Sequence, residues 1–123
     1  MNAEDQRKLE EIAQLEQKLS GEVEEANRKI AEFEEALAAA KVGVTARVGR
    51  LSYSKVNDRW CVAIALRDIL DVTDVIIKLS GASRQVRIEY AAQLPKLLDA
   101  ILENLRKMNE HNERLRKNNN EER

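Results

Sequence analysis

Apolar side chains recur at alternating three- and four-residue intervals from Leu9 to Ala40. They run through Ile12, Leu19, Val23, Ala26, Ile30, Phe33 and Leu37, with Glu16 as the polar break. A seven-residue repeat keeps one narrow seam facing a partner, so a coiled coil is the reading it imposes. Ala, Glu, Gln, Leu and Lys dominate residues 3–41, and all are strong helix formers. One long helix is therefore expected there, on the order of 55–60 Å at the usual rise per residue. A stripe this narrow cannot bury itself, and a second helix has to cover it.

Residues 43–80 change period from three-four to two. Val44, Ala46 and Val48 alternate, as do Leu51 and Tyr53, then Trp60, Val62, Ile64 and Leu66. Asn57-Asp58 separates the last two runs and suits a two-residue hairpin turn, because both residues tolerate positive φ. That turn sets Tyr53 opposite Val62 and Leu51 opposite Ile64, giving one apolar face. The parity slips between Val48 and Leu51, and Gly49 is read as a bulge within a single strand. Val75, Ile77 and Leu79 make a third strand, after a stretch over 69–73 that reads equally as loop or helical turn. The other face, with Arg50, Ser52, Ser54, Cys61, Ala63 and Ala65, is flat and small enough to pack on a further layer.

Residues 83–117 return to helical spacing, with Ser83 as N-cap and a kink or restart at Pro95. Leu94, Leu98, Ile101, Leu105, Met108, Asn112 and Leu115 form a second heptad. An Asn at such a seam fixes register at some loss of stability. Residues 118–123 are polar and read as a frayed tail. The whole is expected to be one α+β domain spanning 1–123: long N-terminal helix, small antiparallel sheet of two to three strands, long C-terminal helix. The favoured packing is an antiparallel hairpin of the two helices, with Leu9 opposite Leu115, Leu19 opposite Leu105, Val23 opposite Ile101 and Ile30 opposite Leu94. An intermolecular coil is the rival, and association into dimers or higher oligomers is expected with either. Core or interface positions are Leu19, Val23, Ile30, Phe33, Leu37, Trp60, Leu98, Ile101, Leu105, Met108 and Asn112.

The order helix, small sheet, helix resembles two groups in organisation. Prefoldin subunits are similar in having two coiled-coil helices joined by short strands. Nucleoid-associated proteins of the YbaB type are similar in having helix, three strands, helix and a dimer. The resemblance spans the chain as topology and carries no residue-level motif, so no functional residue transfers.

Chemistry is sparse. Phosphate-loop, dinucleotide, nucleophile-elbow and zincin motifs are all missing, and the chain has only 4 Gly. His111 stands alone in a polar helical stretch. Cys61 lies on a predicted strand with no His nearby, and the many carboxylates read as a solvated face. No enzyme and no cofactor or metal is expected. The lone cysteine and a first segment, MNAEDQRKLEE, without a signal-peptide core give a cytoplasmic reading. No apolar run is long enough for a membrane helix.

Charge divides unevenly. Residues 1–41 hold 6 basic and 11 acidic side chains, whereas 42–90 hold 8 basic and 5 acidic. An anion would be drawn to the middle. The candidate site is the loop and helix start Ser80, Gly81, Ser83, Arg84 and Arg87, where free N–H groups and the dipole favour phosphate or carboxylate. Arg47, Arg50 and Arg59 on the strands are secondary members. The leading expectation is a non-enzymatic oligomeric interaction protein: an adaptor, a structural subunit or a chaperone-like clamp. Its partners would be itself and another protein. The alternative is an anion-binding module for nucleic acid, a nucleotide or another phosphorylated small molecule.

Overall fold

The computed structural model describes residues 1–67 and 74–121. Helix α1 spans Ala3–Ala39. It starts where the Asn2 side chain accepts the Asp5 N–H at 2.8 Å, with Glu4 and Asp5 favourably placed in the first turn. It stops because Lys41 turns to φ 56. Lys41 N–H then donates to Ala38 and Val42 N–H to Leu37, satisfying the last carbonyls and laying Val42 against the helix end.

Four strands follow: β1 (Ala46–Val48), β2 (Leu51–Val56), β3 (Arg59–Arg67) and β4 (Asp74–Lys78), antiparallel in the order β1-β2-β3-β4. The expectation of two to three strands is corrected to four. Gly49, at φ 59, opens a two-residue turn with Arg50, so Val48 folds back onto Leu51 and Ala46 onto Tyr53. A bulge and a tight turn shift side-chain parity in the same way, which is why the pattern did not separate them.

The second turn forms as expected. Asn57 and Asp58 both take positive φ, and Tyr53 pairs with Val62 and Leu51 with Ile64. The connection expected over 69–73 lies outside the described residues.

A short 3₁₀ turn (Leu79–Gly81) leads to α2 (Arg84–Ala91), and α3 (Leu94–Glu121) follows. Ser83 caps α2 by accepting the Val86 N–H. The chain breaks at Ala92-Gln93 and restarts with Pro95 in the first turn of α3, where its missing N–H costs nothing. Helix α3 then continues past the expected end at 117.

The inner face of the sheet, with Leu51, Tyr53, Val62 and Ile64, is sealed in one core with Ala26, Ile30 and Leu37 of α1. Leu79, Leu94, Leu97 and Ile101 complete it. Helix α1 packs on α2 and β3, and α3 on β1 and β2.

These contacts advance in the same direction along both helical segments. Arg84 meets Glu16, and Arg87 meets Asn27. Ala91, Leu94 and Pro95 flank a recess with Lys29 and Phe33, and Asn104 reaches the Thr45 carbonyl at 3.0 Å. The antiparallel hairpin is therefore not formed within the chain. Leu9 and Leu115, which it would place opposite each other, are 45% and 47% exposed. The cause is α2: freed by the break before Pro95, it occupies the α1 seam running parallel to it, and α3 departs across β1. The polar break at Glu16 falls where Arg84 of α2 arrives.

Candidate functional site

Two features could carry interaction. The first is the pair of helical ends that leave the packed region, the α1 arm (residues 1–18) and the α3 arm beyond Leu105. Because packing advances in one direction along both helices, these ends lie at opposite ends of the packed region. Leu9, Ile12 and Leu15 are 45–60% exposed on one arm; Leu98, Leu102, Met108 and Leu115 are 46–50% exposed along α3. Singly exposed leucines need no explanation, but a row at helical spacing on the α1 arm and a second along α3 do. Of the expected core or interface residues, Val23, Ile30, Leu37 and Ile101 are buried. Leu19, Phe33, Trp60 and Leu105 are half-buried, and Leu98, Met108 and Asn112 face solvent. Leu15 and Leu102 were missed, since neither falls on the strict heptad through Glu16 and Ile101.

Between the arms, Phe33, Ala91, Leu94, Pro95 and Leu98 line an apolar recess of about 410 Å³ edged by Lys29 and Glu32. It opens beside the exposed Leu98, so the apolar surface of α3 runs into it without interruption.

The second feature is the outer face of the sheet. Thr45, Arg47, Arg50, Ser52, Ser54, Ala65 and Ile76 surround a recess of about 220 Å³. Arg47 Nε donates to the Gly49 carbonyl at 2.7 Å and Arg50 to the Ala65 carbonyl at 3.0 Å, which aims the two guanidinium groups at one region. The other proposed anion ligands are not brought to it. Arg59 stands at the β2–β3 turn. Arg84 is ion-paired with Glu16, and Arg87 donates to Asn27 Oδ1 at 2.8 Å while its Nε is buried with no hydrogen-bond partner among the described residues. Ser83 spends its hydroxyl on the α2 cap, and Ser80 and Gly81 are exposed. The α2 start is thus turned toward α1. The sequence signal for basic residues at a helix start was real, but acidic and amide side chains on α1 supply its partners.

Cys61 is buried, and burial, then the negative charge of Glu34, push its thiol up, away from the nucleophilic thiolate. His111 is exposed on α3. Among the described residues no three metal-ligating side chains cluster, and no helix is long and apolar enough to cross a membrane. Set against protein-family models, curated proteins and solved structures, the chain matches none of them.

One titratable group is unusual. Hydrogen bonds alternate along an antiparallel strand, so the N–H of Val62 points toward β4, whose pairing ends at Ala63↔Lys78. Glu34 of α1 accepts that free N–H at 3.2 Å. Burial holds the Glu34 carboxyl above its ordinary value, partly offset by the Val62 hydrogen bond and by Lys78. A carboxyl raised in the folded state contributes stability that is complete below its unfolded pKa and lost as pH rises through the folded one. Glu34→Gln keeps an acceptor for Val62 and cannot ionise. Its stability relative to the parent is therefore expected to climb as pH rises through and above the ordinary carboxyl range, as read by urea unfolding at a series of pH values. A difference that stays flat with pH would remove Glu34 as the source.

Proposed function

We propose that the chain is a non-enzymatic, self-associating coiled-coil interaction protein of the cytoplasm. It would act as an adaptor, structural subunit or clamp through its helical arms. The observation that carries this reading is the row of half-exposed Leu and Ile side chains on the α1 arm and of Leu and Met side chains along the outer side of α3, on surfaces no other part of the described chain covers. Burying apolar area on that scale is the main force in helix association. The buried, protonated Cys61 and the solvated His111 give no support to a catalytic role. Association of the 14.0 kDa chain, followed by sedimentation over a concentration series, is the test.

A second reading is an anion-binding face for nucleic acid or a nucleotide, favoured by the convergence of Arg47 and Arg50 on one recess with Thr45, Ser52 and Ser54. It ranks below the first because each guanidinium already donates to a backbone carbonyl, and no aromatic side chain lines the recess for base stacking.

A further inference from the structure

The helical arms differ in a way that selects what covers them. On α1 the apolar positions before the α2 contact are Leu9, Ile12, Leu15 and Leu19, at intervals of three, three and four. On α3 the exposed Leu98, Leu102 and Met108, with Leu105 at the edge of the core between them, fall at intervals of four, three and three. One series is the other reversed. Laid antiparallel, Leu9 meets Met108, Ile12 meets Leu105, Leu15 meets Leu102 and Leu19 meets Leu98, while Leu115 lies beyond the matched stretch. Six of these eight are 45–60% exposed, and Leu19 and Leu105 are half-buried. The same pairing within one chain is excluded, because residues 9–19 leave the packed region at one end while α3 crosses it and leaves at the other.

Charge agrees in sign. Residues 1–15 carry two basic and four acidic side chains; residues 102–117 carry five basic and three acidic. An α1 arm beside another α1 arm would set like net charges together, as would two α3 arms, whereas α1 against α3 sets opposite ones together. Both α1 and α3 run in one direction through the body. A two-fold axis across that direction therefore brings each α1 arm antiparallel to the partner's α3 at both ends at once. The recess at Phe33, Leu94 and Pro95 continues the α3 stripe past Leu98 and gives the root of the partner's arm an apolar floor.

We infer that a second copy of this chain covers the arms, in a closed two-fold dimer where the α1 arm of each copy lies antiparallel on α3 of the other, Leu9 against Met108. This rests on the self-association proposed above and specifies its geometry. Closure at both ends makes the interface isologous, so the assembly stops at two chains.

The test is disulfide trapping in the full chain. Leu9→Cys and Met108→Cys are placed together in one chain, and separately in two others, and all are oxidised in air. The doubly substituted chain is expected to run almost wholly as a dimer on a non-reducing gel. The two single variants, and the parent with only the buried Cys61, should remain single chains. Cross-linking by Leu9→Cys alone would show α1 against α1 and overturn the inference. A ladder of longer species from the double variant would show an open chain and overturn the closed dimer. A dimeric mass in solution with no cross-link in the double variant would refute this register while leaving self-association standing. A monomeric mass would remove both.

Discussion

Leu97→Ala is expected to cost the fold about 2–5 kcal/mol, whereas the neighbouring Leu98→Ala costs less than about 0.5 kcal/mol in the dissociated chain. The two leucines are adjacent on α3 and alike in chemistry. Leu97 is 0% exposed, in the core with Leu51, Ile64 and Ile101, so truncation leaves a cavity inside that core. Leu98 is 48% exposed and points toward the apolar recess. Urea unfolding at low protein concentration separates them. At high concentration Leu98→Ala should lose stability too, because the parent gains from association by mass action and the variant gains less. Equal effects at low concentration would mean that the inward and outward faces of α3 have been exchanged.

Tyr53→Ala is expected to be as severe, about 3–5 kcal/mol, the range for truncating a buried aromatic side chain. Tyr53 is 1% exposed on the central part of the sheet. Its ring stacks on Trp60 with centroids 5.3 Å apart, and its hydroxyl donates to the Val42 carbonyl at 3.3 Å. That last bond ties the segment after α1 to the sheet. Tyr53→Phe isolates it and should cost only about 0.5–1.5 kcal/mol. Trp60→Ala should fall below Tyr53→Ala, because Trp60 is only half-buried, with one side toward Gly43 and Lys55. A thermal melt in which Trp60→Ala is the more damaging change would place the aromatic anchor on the wrong residue.

That reversal marks what the sequence could and could not convey. Alternation set the register of β2 against β3 residue for residue, since a turn at Asn57-Asp58 leaves only one way to put Leu51, Tyr53, Val62 and Ile64 on a common face. Size suggested Trp60 as the anchor, but its place beside the hairpin turn leaves it at the rim. Gly49 was marked as a special backbone position, yet parity alone does not distinguish a bulge from a reversal. The α3 restart followed from Pro95. Its consequence did not: eight residues of α2 are enough to claim the α1 seam, and nothing in a heptad says which helix fills it. Periodicity reports that a stripe must be buried, while the identity of the covering surface depends on chain path. For the same reason Arg84 and Arg87 looked free in the sequence, and their partners Glu16 and Asn27 lie more than fifty residues earlier.

The proposal that the exposed arms of α1 and α3 exist to be covered by another chain meets its most direct test in the mass of the protein in solution. Sedimentation equilibrium of the parent is expected to give twice 14.0 kDa at high micromolar concentration. Ile12→Asp with Leu102→Asp, at exposed apolar positions on the α1 arm and on α3, should return the mass to one chain while leaving the fold intact. A parent protein that stays at 14.0 kDa throughout, with its arms apolar and bare, would contradict it.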